Sequence, residues 1–194
     1  GGNAQSVAEA TTHEVGHNLG LSHDGISGSV EYYTGHGPWA PIMGAGYYHP
    51  VTQWSKGEYS GASNTEDDLA VVAKNGAARV KDDHANSSSS ATLLTVGKAK
   101  SGIIGSRYDN DWFTFTTASG VVTITLTPRT AGPNLDARVD LYKSSGTTLG
   151  WSNPTVKEVT DSSATGMNAK IVKVLSAGTY KVRVKGTGYG TVNS

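Results

Sequence analysis

The segment His13-Glu14-Val15-Gly16-His17-Asn18-Leu19-Gly20-Leu21-Ser22-His23 constrains this chain more than any other. Two histidines four positions apart fall on one face of an α-helix, about 40° apart around its axis. Their ring nitrogens can then reach a single metal ion at roughly 2.0–2.1 Å. Glu14 follows the first histidine and lies beside such an ion rather than on it, which is the place for a general base acting on a water. Gly20 lets the chain leave the helix, because glycine accepts the positive φ of a sharp turn. His23 returns as the third ligand. Three protein ligands leave the fourth tetrahedral position open, the mark of a catalytic zinc site rather than a structural one.

The helix has two candidate starts. Ser6-Val7-Ala8-Glu9 reads as a capping box, and Asn3 offers an earlier N-cap. Val15 and Leu19 form a stripe expected to pack inward while the histidines face a cleft. From Gly25 to Ser63 the chain is rich in Gly, Pro and Tyr with little periodicity, which predicts long irregular loops. Thr65 then reads as the N-cap of a second helix, with Glu66, Asp67 and Asp68 in its first turn and Leu69, Val72, Ala73, Ala77 and Val80 as its apolar set. Trp54 is expected to pack against this helix.

Lys81 to Ser90 ends in four serines after charged residues and reads as a linker. Beyond it the period changes to two. Trp112–Thr116, Val121–Thr127, Arg138–Tyr142, Lys170–Leu175 and Thr179–Val184 alternate, with Val122, Ile124 and Leu126 sharing one face. Ala118-Ser119-Gly120, Ser144-Ser145-Gly146 and Ser176-Ala177-Gly178 supply turns between them. Short strands at this spacing predict a β-sandwich.

The histidine segment resembles the extended zinc signature of the metzincin metallopeptidases. Asn18-Leu19-Gly20 and Asp24 are most similar to the adamalysin/reprolysin-like branch, although that branch usually carries disulfides and this chain has no cysteine. Pro41-Ile42-Met43-Gly44 resembles the Met-turn of the clan, with Met43 at the position of the family methionine. In the family this turn lies beneath the zinc ligands, where a soft unbranched thioether fills irregular space. Ala45 stands where some metzincins place a tyrosine near the metal, so no tyrosine ligand is assigned. Tyr47, Tyr48 and His49 are read instead as the wall or rim of a substrate cleft. The run from Asp82 to Gly190 resembles the bacterial pre-peptidase C-terminal domain, through Asp109-Asn110-Asp111-Trp112-Phe113, Asn134-Leu135-Asp136-Ala137, Leu141-Tyr142, Ser152-Asn153-Pro154 and Ala177-Gly178-Thr179-Tyr180.

Together the resemblances imply an α+β chain. Residues 1–81 would be the later part of a metzincin catalytic domain, a truncated lower subdomain with its active-site helix and C-terminal helix. Residues 82–92 would be a linker, and residues 93–194 an all-β jelly-roll-like sandwich lacking its last strand, since the chain ends in a turn-rich stretch from Gly186. Metzincins carry an upper subdomain before the zinc helix, so the resemblance implies a fragment, one that binds zinc weakly and turns over peptides poorly.

The implied activity is that of a secreted zinc endopeptidase acting on a protein or peptide. His13, His17 and His23 hold Zn²⁺ as neutral imidazoles, and Glu14 takes a proton from the attacking water and passes it to the leaving amine. The alternatives are an exported protein-binding sandwich joined to an inert zinc site, and an enzyme hydrolysing another amide such as a cell-wall peptide. Structural calcium has little support. Glu66, Asp67 and Asp68 suit a helix start, Asp109 and Asp111 suit turn caps before a strand, and His84 with Asp82 and Asp83 suits a polar linker.

Charge and composition narrow the partners. Lys+Arg and Asp+Glu are both 16, which argues against a basic face for nucleic acid. No apolar run reaches the length of a membrane span, and a monomer is expected. The absence of cysteine excludes a disulfide framework and a thiolate metal site. The amino end of the fragment has no basic segment followed by an apolar stretch to read as a signal peptide, and richness in Gly, Ser, Thr and Ala suits an exported protein.

Overall fold

A computed structural model describes residues 3–187. Helix α1 (Ala4–Asn18) starts at the earlier of its two candidate caps: Asn3 Oδ1 accepts from the Ser6 N–H at 2.9 Å, and Ser6 lies inside the helix. The helix ends in a Schellman motif. Leu21 N–H donates to Gly16 O and Gly20 N–H to His17 O, with Gly20 at φ +87°. Only His13 and Gly16 are buried along α1. Val15 stays 45 % exposed, so the expected inward stripe is corrected. The helix packs through the narrow gap at Gly16, not through a broad apolar face.

The next fifty residues are irregular, as their glycines and prolines predict. A short parallel pair, β1 (Trp39–Pro41) and β2 (Val51–Gln53), brackets a single 3-10 turn at Gly46–Tyr48. Helix α2 (Asp68–Lys74) is capped by Asp67, whose Oδ1 accepts from Ala70 N–H at 3.2 Å, and not by Thr65. Asn75 and Gly76 end it, so Ala77 and Val80 lie beyond it. Its Val71 and Val72 meet Leu21, Met43, Ile42 and Trp54 in one small core.

The remainder is β-structure: β3 (Thr92–Leu93), β4 (Asp111–Thr117), β5 (Gly120–Leu126), β6 (Ala137–Lys143), β7 (Thr148–Ser152), β8 (Lys157–Thr160), β9 (Ser163–Thr165), β10 (Ala169–Leu175) and β11 (Gly178–Gly186). A five-stranded sheet runs β3-β4-β11-β6-β7 and is mixed, because β3 pairs parallel with β4. The antiparallel pair β5–β10 packs across it around Phe113, Phe115, Val139, Leu141, Ile171 and Val182. On the opposite face Asp140 accepts from both Arg138 and Arg183, and Arg183 lies over Trp112.

The burial alternation in β4 places Asp111 on the same inward side as Phe113 and Phe115. Burial pushes its carboxyl up to about 6, helped by the like charges of Asp109, Asp83 and Asp82 and opposed by His84.

Two features tie the halves of the chain together. Val156 and Met167, at the feet of the β8–β9 hairpin, are buried with Trp39, Val51 and Tyr59. The segment read as a linker is docked on the sheet: His84 is buried, its ring sits 4.7 Å from that of Phe113, and Ala85 O accepts from Trp112 N–H.

The α+β expectation, a truncated metzincin lower subdomain followed by a jelly-roll-like sandwich, is therefore corrected. Strands take up 33 % of the chain and helix 15 %, with two α-helices among the described residues. The physical reason lies in residues 19–67, where glycines and prolines leave no helical run, and in Gly76, which stops α2 after seven residues. The expectation of a missing last strand concerns a terminal stretch of which residues 188–194 lie outside the described residues. No helix among the described residues is long and apolar enough to cross a membrane.

Candidate metal centre

Helix α1 presents His13 and His17 from one face, and the turn at Gly20 brings His23 back against them. The ring centroids are 4.8 Å apart for His13–His17, 4.6 Å for His17–His23 and 5.4 Å for His13–His23. Each Nδ1 has an acceptor that can only accept. His13 Nδ1 donates to Ile42 O at 2.8 Å, His17 Nδ1 to Leu21 O at 2.9 Å, and His23 Nδ1 to Glu31 Oε1 at 2.7 Å. In the neutral imidazoles these bonds place the proton on Nδ1 and the lone pair on Nε2.

The three lone pairs converge. One nitrogen from each ring lies within 4.8 Å of the others, and His17 Nε2 is 2.9 Å from His23 Nε2. Two acceptors cannot hydrogen-bond each other without a shared proton or a cation between them. Nitrogens around a tetrahedral zinc stand about 3.3 Å apart at the usual bond lengths. The donor set therefore fits a zinc ion.

Against α1 at Gly16 the packing leaves no slack. Met43 is fully buried, its carbonyl accepts from Asp24 N–H at 2.9 Å, and the turn closes through Gly44 N–H to Pro41 O. A Cβ on Gly16 would stand 2.5 Å from Met43 Sδ and 3.3 Å from Leu21 Cδ1 and Trp54 Cζ3. Gly16→Val is expected to cost about 2–3 kcal/mol by overpacking. It should also weaken zinc binding, because α1 must lift off the turn that holds His13. Denaturant melts and a zinc titration check this, and wild-type values in both would show that the gap can open freely.

Asp24 lies behind His23 in a buried polar group with Asp68, Ser55 and Tyr59. Burial above all pushes Asp24 up to about 6 and Asp68 up to about 7. Asp68 Oδ2 accepts from Ser55 N–H at 2.8 Å.

Glu14 is exposed beside His13 and has no hydrogen bond or ion pair among the described residues. Of the expected cleft tyrosines, Tyr47 lines a small recess of about 10 Å³, room for one water, with Glu9, His13, Ile42, Gly44, Gly46 and Thr52. Tyr48 is 63 % exposed and does not line it. Two residues at the centre were not anticipated from sequence. Glu31 holds His23, and the Tyr32 ring lies 4.2 Å from the His23 ring. Adjacent acidic and aromatic residues in an aperiodic loop carry no signal of their own.

No family model and no curated protein matches this chain. The metzincin and pre-peptidase C-terminal resemblances rest on the residues quoted above.

Proposed function

We propose that this chain carries the zinc-binding part of a hydrolase that cleaves peptide bonds in exported or extracellular proteins. The observation that supports it most is the convergence of one ring nitrogen from each of His13, His17 and His23, whose Nδ1 partners already fix the tautomer. A zinc ion held by His13, His17 and His23 would act as a Lewis acid toward a substrate carbonyl and make a water acidic near neutral pH.

The protein's own groups supply the rest. Ile42 O, Leu21 O and Glu31 orient the imidazoles by accepting from their Nδ1 atoms. Glu14, one residue along the helix from His13 and free of structural bonds, takes the proton of the attacking water and returns it to the leaving nitrogen.

Metal removal tests this reading. The purified chain is expected to take up zinc weakly and to cleave an unstructured protein such as casein slowly, and a chelator should abolish that cleavage, with zinc restoring it. His17→Ala should bind zinc about 100-fold more weakly. Zinc bound with no hydrolysis of casein would overturn the proteolytic reading, and muropeptide cleavage in its place would reassign the substrate.

A further inference from the structure

The geometry points to a second metal site, for a calcium-class cation held by the carboxylates of Asp82, Asp109 and Asp111 at the head of β4. One oxygen from each of the three lies within 4.8 Å of the others. An acidic group of this kind is common on protein surfaces without any ion. Here two of the three carboxylates are not on the surface.

Asp111 is 2 % exposed and its Oδ1 has no partner. It occupies the inward side of β4, in line with Phe113 and Phe115, where an apolar side chain would otherwise sit. Asp109 is 8 % exposed. Its Oδ2 caps the local turn by accepting from Gly105 N–H at 2.6 Å, while its Oδ1 is buried without a partner. Turn capping therefore explains one of these four oxygens. No Lys, Arg or His forms an ion pair with Asp82, Asp109 or Asp111 among the described residues. Burying two carboxylates with only the His84 ring nearby, and that outside ion-pair distance, is costly, and a dication between them removes that cost.

The chemistry of the site selects the ion. His84 is the one nitrogen ligand within reach, since Asp83, His84 and Asp111 also cluster. Both of its nitrogens are committed. Nε2 lies 2.9 Å from Ser101 O, which can only accept, so Nε2 carries the proton. Nδ1, 3.0 Å from Thr92 Oγ1, then accepts from that hydroxyl. No imidazole lone pair remains for a metal, and the donor set is oxygen only. Oxygen ligands suit calcium or magnesium, not zinc. Calcium is favoured because it accepts irregular geometry and Asp82 comes from an exposed segment that can adjust. That ligand lies in the 82–92 segment while the other two lie on the sheet, so the ion would fasten the segment to the sheet.

Calcium titration of the full chain, after chelator treatment, tests the site. Calorimetry should give one calcium per chain, with a dissociation constant on the order of 10⁻⁵–10⁻³ M. At a hundredfold excess the melting temperature should rise by about 5–10 °C. Asp111→Asn should weaken binding about tenfold or more and leave the calcium-free protein at least as stable as wild type. Asp82→Asn, at an exposed position, should weaken calcium without changing calcium-free stability. His17→Ala should leave calcium binding intact. No heat and no thermal shift up to about 10 mM calcium would overturn the proposal. So would unchanged affinity in both Asn variants, or loss of calcium binding in His17→Ala.

Discussion

Glu14→Gln is expected to keep zinc and lose hydrolysis. The wild-type carboxylate makes no hydrogen bond or ion pair among the described residues and is exposed on α1, so the amide removes no structural contact. Gln and Glu have nearly equal helix propensity, and folding stability should stay within about 0.5 kcal/mol. Zinc affinity should also hold, because the three imidazoles keep Ile42 O, Leu21 O and Glu31 as their Nδ1 acceptors. Catalysis should fall by about 10²–10⁴, the usual worth of a positioned base, or about 3–5 kcal/mol of transition-state stabilisation. The loss belongs in kcat with KM nearly unchanged, since proton transfer occurs only in the transition state. Metal analysis alongside steady-state kinetics on casein-derived peptides separates the cases. Full activity at full zinc occupancy would remove Glu14 from the mechanism, and loss of zinc would make it a structural residue.

The parts of this molecule that were legible in its sequence are those set by local rules. Histidines four apart share a helix face whatever surrounds them, and Gly20 alone suffices to predict the turn to His23. Strands β4, β5, β6, β10 and β11 announce themselves by alternation. Strand β7 contains Gly150 and β8 is exposed at every position, so neither shows a buried face from which alternation could be read.

What sequence reading missed depends on meetings between distant segments. Glu31 and Tyr32 reach His23 because an Ile26–Val30 bridge folds their loop back. The shared core of Trp39, Tyr59, Val156 and Met167 joins residues more than a hundred positions apart, and no pattern in either segment names the other. The second helix was expected two residues early because Thr65, Glu66 and Asp67 all suit a helix start. Asp67 wins through its bond to Ala70 N–H. Asp111 was readable in principle: alternation with Phe113 and Phe115 turns it inward, a conflict between local pattern and burial of the kind that marks functional positions.

The same kind of conflict underlies the second large expectation, a fall in stability from about pH 4 to pH 7 that Asp68→Asn lessens, leaving the share that Asp24 and Asp111 contribute. Asp68 is fully buried at the first turn of α2, with Oδ2 bonded to Ser55 N–H and Oδ1 without a partner. Asp24, Glu66 and Asp67 face it with like charge, and burial is the largest cause of its rise to about 7. The unfolded chain releases this proton near 3.8. A group that holds its proton more tightly when folded contributes stability below its unfolded pKa, and that contribution is lost as pH climbs through the folded value. The window is therefore about pH 4 to 7. At about 1.4 kcal/mol per unit the loss amounts to a few kcal/mol. An amide at this position still accepts from Ser55 N–H and has no charge to strand. Asp68→Asn should accordingly be more stable than wild type at pH 8, and the two should draw together toward pH 4, where the wild-type carboxyl is neutral. Metal-free denaturant melts across this range read the difference between the two proteins, in which the titration of the histidines common to both cancels. Parallel curves would show that Asp68 is ionised and satisfied in the folded state.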